Sequence, residues 1–429
     1  MSINVYEKFY CMQGYKKFIK MIDEKRLLKD LISGKLKLYE LENYVNSFKA
    51  CEIRRRFVEK VTKTKLRHVG HFSIDAEGAM KKNIENMIGV VQIPLGIAGP
   101  LKIDGKYAKG DFYIPLATTE GALVASVNRG CSAITKSGGV RTFIIKDAMT
   151  RAPVFRFESA KIAIEFVGWI EKHFSDIKEV AESTTKHGVL LNIEPWVVGR
   201  NVFLRFSYDT KDASGLNMVT IATDAAVRYI EENFKGAVCV SLSGNLCVDK
   251  KPAALNFILG RGKSVIAEAI IKREVCKEIL KTTPEDIVEV NYRKNLIGSA
   301  LSLSYGFNAH YANIIAALFI ATGQDEAHAV DGSLGITTTE LYGDDLYVSV
   351  YLPCIYVGTV GGGTRVETQR ECLEILGVAG SGDPPGVNAK KLSEIVAAAV
   401  LAGELSLLAA LAAGHLAKAH KKFGRGKSV

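Results

Sequence analysis

Apolar residues recur every three or four positions through KLYELENYVNSFKACEIRRRFVEKVTK, which predicts helices along a charged N-terminal segment reaching to about residue 85. VVQIPLGIAGPLKIDG then mixes β-branched residues with glycine and proline, the pattern of short strands and turns. In TTEGALVASVNRGCSAITKSGG a threonine start and a glycine stop bracket a helix. Glu120 falls in its first turn, where the helix dipole favours a carboxylate. From about 153 to 241, strand-like GVLLNIEPWV and NVFLRFSYD alternate with helical SAKIAIEFVGWIEKHF and LNMVTIATDAAVRYIEENF. Two helices against a sheet in so short a span predict a compact α+β module. Long apolar helices follow, NAHYANIIAALFIATGQD and IVAAAVLAGELSLLAALAAGHLA, and KKFGRGKSV reads as a mobile basic tail.

The stretch Ile395–Ala417 is long and apolar enough to raise the question of a membrane. Glu404 and His415 argue against a spanning helix, because ionisable groups at the bilayer centre are costly. The core of a large domain calls for the same kind of Ala-rich helix. A 429-residue chain with 48% hydrophobic and 24% charged residues is expected to fold into two or three domains. Its +10 charge favours anionic partners in general, but the basic residues are scattered and no RNP-like aromatic pattern appears, which argues against nucleic acid. Eight cysteines without a C-x-x-C pair read as reduced, intracellular thiols. Charges interrupt the N-terminus where a signal peptide needs an apolar core, so a cytoplasmic location is expected.

Candidate chemistry concentrates in VDKKPAALN, Val248 to Asn256, where two lysines stand between apolar runs. A lysine desolvated there needs an anion, and the neighbouring Asp249 is a candidate. Such a lysine can form a Schiff base or stabilise an oxyanion. In GTVGGGTRVETQ, Thr364 and Glu367 have the spacing of a capping box after three glycines, either a plain turn or a phosphate cradle. DASGLN has the same two readings. Asp325 in ATGQDEAH reads equally as a solvated turn residue. His415 and His420, five apart, point away from each other on a helix, and His68 and His71 lack companions, so no metal site is expected.

ENMIGVVQIPLGIAGPL, ATTEGALVASVNRGC, DAMTRAPV, SGNLCVDKKPAALNFILGRGKSV, NLIGSALSLSYGFNAHYANI, GTVGGGT and AGELSLLAALAAGHLAKAH follow in an order that resembles the 3-hydroxy-3-methylglutaryl-CoA reductases, from about residue 85 onward. The pattern is most similar to the class I branch, in a form without a membrane anchor. The resemblance implies an α+β fold with a helical N-terminal domain over 1–88. A large CoA- and substrate-binding domain around a long central helix would span 89–152 and 242–429, with a ferredoxin-like NADP-binding domain inserted at 153–241. It also implies the four-electron reduction of 3-hydroxy-3-methylglutaryl-CoA to mevalonate and CoA with two NADPH, in isoprenoid biosynthesis.

Carried over by position, Lys250 would stabilise the oxyanion, Glu120 donate a proton, Asp325 link the two and His420 protonate the departing CoA thiolate. Arg151, Ser243, Asp249, Lys251 and Lys294 would hold the substrate carboxylate with Asn313 in support, and Arg129 would contact CoA. Asp212, Ser214, Gly215 and Asn217, with Gly361, Gly362 and Gly363, would hold the dinucleotide, and Lys186 would meet its 2′-phosphate. The sequence departs from relatives at Ala122, where some have cysteine, at Lys421, usually apolar, and at Gly426, where animal enzymes carry a phosphorylatable serine. A homodimer with the site at its interface is implied, with a tetramer as an extension.

Overall fold

The computed structural model describes residues 23–414. His415, His420, Lys421, Gly426 and the basic tail lie outside the described residues. Asp23 and Asn46 accept the backbone amides of Lys25 and Lys49 at 3.0 and 2.9 Å, and so start helices Glu24–Ile32 and Ser47–Thr62. Leu27, Leu31, Leu41, Ala50 and Ile53 bury one face of these helices together. This first unit closes at Gln92, past the expected boundary at 88, and the second begins at Ile93.

The second unit is organised round helix Val387–Ala412, of which Ile395, Leu401, Leu405 and Leu408 are fully buried. It is the one helix among the described residues long and apolar enough to cross a membrane, and 78% of its most apolar window is covered by protein. Fully burying each leucine or isoleucine contributes roughly 1.5–3 kcal/mol. Small residues let neighbours approach closely. A Cβ on Gly130, in helix Leu123–Lys136, would lie 1.9 Å from the Ala402 carbonyl, and one on Gly403 would lie 2.7 Å from Ile314 in helix Tyr311–Thr322. The two buried carboxylates of the central helix are met by backbone amides. Glu394 accepts Tyr107 and Ala108 N–H groups at 2.9 and 2.6 Å, and Glu404 accepts those of Ala309 and His310.

One continuous path of strands flanks the helix. Lys109–Ala117, Leu95–Gly105, Val140–Arg151, Gly262–Ile271, Asp345–Ile355 and Gly335–Tyr342 lie side by side. The far end of Val140–Arg151, from Met149 to Arg151, also pairs with Asn201–Asp209. That strand lies between Val189–Val198 and Val154–Arg156, and Val238–Ser241 completes the order. Val154 to Ser241 therefore runs β-α-α-β-β-α-β, with helices Ala160–Lys172 and Phe174–Ser183 both between its first two strands and antiparallel neighbours throughout, over its own core of Phe155, Phe166, Phe206, Val219 and Ile230. Its sheet is hydrogen-bonded to the large one through Val140–Arg151, a connection that no local pattern announces.

Local expectations fail at two places. Helix Leu123–Lys136 starts after Ala122, so Glu120 precedes the helix instead of occupying its first turn. The capping box does not form: Thr364 turns its hydroxyl to the Gly361 carbonyl at 2.6 Å inside a 3₁₀ turn, and the helix begins at Glu367. Residues Asn291–Gly298 wind as a π-helix, which displays Lys294 on its exposed side.

Candidate active site

The VDKKPAALN stretch is a strained turn. Val248 and Lys250 have φ of 45° and 56°, a left-handed conformation that side chains with a Cβ rarely adopt. Two buried groups hold it there: Asn256 donates through Nδ2 to the Val248 carbonyl at 2.8 Å, and Asp331 Oδ2 accepts the Lys250 amide at 3.2 Å. The strain directs the Lys250 side chain to Asp325, with Nζ 2.6 Å from Oδ2. Asp325 in turn caps the short helix Glu326–His328, its Oδ1 accepting the Ala327 amide at 3.1 Å. Burial pushes the Asp325 carboxyl up, but the Lys250 hydrogen bond and the nearby His328 and Lys250 charges outweigh it and leave it below the ordinary value.

Two expectations about this lysine are corrected. Its partner is Asp325, because Asp249 is taken by the fully buried Arg261 at 2.8 Å. Nor is it in a dry cleft: 37% of the Lys250 side chain is exposed in the single chain. Lys251 is exposed, with Nζ 3.2 Å from the Asp249 carbonyl, and Ser243 Oγ lies 3.6 Å from Cys247 Sγ.

Glu120 stands in a second cluster, its Oε1 accepting Asn313 Nδ2 at 3.4 Å. Both line a cavity of about 1100 Å³, together with Pro252, Tyr305 and His310. Among the described residues no hydrogen bond or ion pair joins Glu120 to Lys250 or Asp325. Arg129 is turned inward, donating from Nε to Ser406 Oγ at 3.0 Å on the central helix, where burial draws its guanidinium down from the usual value. Arg151 ends strand Val140–Arg151, and its buried Nε has no hydrogen-bond partner among the described residues.

Three loops meet beside the Lys250–Asp325 pair. Ala213 bridges to Val360, and Thr359 donates its amide to the Asp212 carbonyl at 2.8 Å, which joins DASGLN to GTVGGGT. Gln324, next to Asp325, clasps Gly358 twice: its Nε2 donates to the carbonyl at 3.0 Å and its Oε1 accepts the amide at 2.8 Å. A Cβ on Gly323 would lie 2.3 Å from the Gly363 carbonyl. Ser214, Asn217 and Gly362 are exposed at this junction, and open space surrounds the Cα of Gly361 and Gly362. Helix Leu216–Asn233 begins there at Gly215, which brings no side-chain cap to its first amides.

Asp212 plays a different part from the one expected. Its carboxylate is 3% exposed and accepts the amides of Gly382, Gly386 and Ala389 at 2.9, 2.7 and 3.0 Å, so it anchors the start of the central helix instead of facing a ligand. Lys186 is exposed on a loop seated against that first turn, with Thr185 Oγ1 3.2 Å from Met218 Sδ.

With this geometry in view, the chain was compared with known proteins. The profile of hydroxymethylglutaryl-coenzyme A reductase matches residues 50–425. The chain belongs to that family. The 3-hydroxy-3-methylglutaryl-coenzyme A reductase of Pyrococcus horikoshii is 60% identical over 403 residues, 93% of this chain and 98% of the relative. The enzyme of Methanocaldococcus jannaschii is 59% identical over 404 residues, again 93% and 98%. A class II 3-hydroxy-3-methylglutaryl-CoA reductase from Streptococcus pneumoniae, solved bound to NADPH, superposes with a TM-score of 0.61 over 92% of this chain and 99% of its own, at 17% identity. At that identity the likeness speaks for the fold alone.

For this reductase the residues that motif reading missed are Arg261, His328 and Asp331, all buried. A faint signal was there. Asp325, His328 and Asp331 are spaced by three, which sets them along one side of a helical turn, and Arg261 stands alone between glycines ahead of an apolar strand.

Proposed function

We propose that the chain catalyses the four-electron reduction of 3-hydroxy-3-methylglutaryl-CoA to mevalonate and CoA with two NADPH, as a step of isoprenoid biosynthesis. The observation that carries this reading is the junction of DASGLN, GTVGGGT and GQD, which ties two glycine-containing loops through Gln324 to the acid paired with Lys250. Ser214, Gly215, Asn217 and Gly361–Gly363 suit the dinucleotide, since small residues and an uncapped helix start admit its phosphates. Lys186, on the adjoining loop, suits the 2′-phosphate. The module from Val154 to Ser241 is then the ferredoxin-like NADP-binding part, within a large domain round the central helix. When bound, NADPH supplies hydride.

The chain's own residues do the rest. Lys250, preset by its strained backbone, offers an ammonium to negative charge growing on the thioester oxygen, an arrangement of the oxyanion-hole kind worth several kcal/mol. Asp325 orients that ammonium from 2.6 Å. Glu120, steadied by Asn313, is the proton donor, and His420 protonates the thiolate that leaves. Arg151, Ser243, Lys251 and Lys294 receive the substrate's carboxylate, with Asp249 holding the turn through Arg261. Arg129, held to Ser406 of the neighbouring central helix, is the contact for CoA.

A homodimer whose interface completes the site, with a tetramer built on it, would bring Glu120 to the Lys250–Asp325 pair, which no hydrogen bond or ion pair does among the described residues. Identities of 59–60% to archaeal relatives and 45% to the Camptotheca acuminata reductase, against 17% to the class II structure, support a class I type. The test is NADPH oxidation with 3-hydroxy-3-methylglutaryl-CoA, followed with CoA release. Two equivalents oxidised per CoA are expected, and Lys250→Ala is expected to lower kcat by at least about 100-fold. Near-normal turnover by that variant would refute the oxyanion role.

A further inference from the structure

We propose that His328 is a positioning residue of the reductase, whose buried ring holds the Asp325 carboxylate turned to Lys250. The inference rests on the reading of Lys250 and Asp325 as the reacting pair.

The ring is 3% exposed and stacks on Tyr356, with centroids 4.1 Å apart and planes 13° apart. Tyr356 is itself buried and carries the Arg261 guanidinium 4.6 Å from its ring centre, so the imidazole has no room to swing. Each edge of the ring faces a carboxylate that holds part of the lysine turn. Nε2 is 3.8 Å from Asp325 Oδ2, the oxygen that takes Lys250 Nζ, and 4.0 Å from Asp249 Oδ1, the oxygen that takes Arg261. Nδ1 is 3.4 Å from Asp331 Oδ2, the oxygen that accepts the Lys250 amide. These are contacts across the ring edge, and Nδ1 has no hydrogen-bond partner among the described residues.

The charged and titratable groups facing the ring are therefore Asp325 and Asp331 from its own short helical segment, Asp249 and Lys250 from the turn, Arg261 ahead of strand Gly262–Ile271, and Tyr356 after strand Asp345–Ile355. Asp325 Oδ1 is committed to the Ala327 amide, which leaves Oδ2 shared between Lys250 and His328. Without the ring, that oxygen keeps only the Lys250 ammonium beside it, and the Asp331 contact that steadies the strained Lys250 backbone loses its backing. His328 also contributes to keeping the Asp325 carboxyl below its ordinary value, so its loss raises the pH at which Asp325 takes up a proton.

The test uses the full chain with His328→Ala and His328→Gln, measuring kcat and KM from about pH 5 to about pH 9, alongside urea unfolding midpoints. His328→Ala is expected to lower kcat at least about tenfold with KM for both substrates within about twofold, and to move the acid limb of the kcat profile up by about half to one pH unit. His328→Gln, which restores a polar edge at the same place without the charge, is expected to recover most of kcat while keeping the shifted limb. An acid limb unmoved in both variants overturns the proposal, and so does a kcat loss in His328→Gln as large as in His328→Ala. If His328→Ala fails to fold, the limb of His328→Gln decides alone. Lys250→Ala measured in parallel separates the two levels: near-normal turnover there removes the reacting pair itself, whereas a crippled Lys250→Ala with an unmoved His328 limb removes only the positioning role.

Discussion

Glu404 allows a stability argument to be worked through to function. It is fully buried inside the central helix, where Oε2 and Oε1 accept the amides of Ala309 and His310 at 2.9 and 2.6 Å, and Oε2 also accepts the Thr337 hydroxyl at 2.7 Å. Those amides lie at the start of helix Tyr311–Thr322, so the carboxylate also complements that helix's dipole. In Glu404→Ala, Thr337 can turn its hydroxyl to Tyr311 Oη, 3.1 Å away, which leaves two buried amides without an acceptor. At about 1–3 kcal/mol each, plus a void from the lost side chain, the cost is about 3–5 kcal/mol. That is a large part of a typical domain's stability of about 5–15 kcal/mol. Glu404→Gln keeps one acceptor oxygen, with an expected cost of about 1–2 kcal/mol. Urea unfolding followed by circular dichroism measures both. Because Asn313 sits in the first turn of the same helix and touches Glu120, kcat should fall in the order wild type, Gln, Ala. An alanine variant within about 1 kcal/mol of the wild type would refute the argument, since it would mean that buried amides find water or another partner there.

Two further outcomes follow from buried carboxylates. Asp212→Ala removes the acceptor for three amides at the start of the central helix and is expected to cost about 3 kcal/mol, and to weaken NADPH binding several-fold in a fluorescence titration because Asp212 also holds the Ala213–Val360 junction. Unchanged NADPH affinity in a destabilised variant would show that the junction does not serve the dinucleotide. Burial raises the Glu394 carboxyl above its usual range against the pull of the Ala108 and Tyr107 amides. The folded chain therefore binds that proton more tightly than the unfolded one, and the contribution to stability falls as pH rises from the unfolded carboxyl's value through the raised folded one. Glu394→Gln is expected to lack this decline, and so to gain on the wild type above that window; parallel pH–stability curves would contradict burial as the cause.

What could be read from the residues in order was what depends on neighbours in order. Three-and-four spacing disclosed the N-terminal helices, a long unbroken apolar run disclosed the core helix, and the run of motifs from ENMIG to AGELS disclosed the family. Lys250 stood out because an ammonium between apolar runs needs a reason. Which acid would meet it was a different matter. Asp249 is adjacent in sequence, yet a left-handed turn and the buried Arg261 carry it away, and Asp325 arrives from a loop dozens of residues further on. Asp212 looked like a ligand-facing residue until the fold brought onto its carboxylate the amides of Ala389, in the central helix, and of Gly382 and Gly386 just before it. His328 and Asp331 were silent in the motifs because their meaning lies in what surrounds them. Periodicity records which face of a segment avoids water, a local property. Which charge neutralises which is settled only when distant segments pack, since Coulomb attraction and hydrogen bonding act over a few ångströms of space and take no account of distance along the chain.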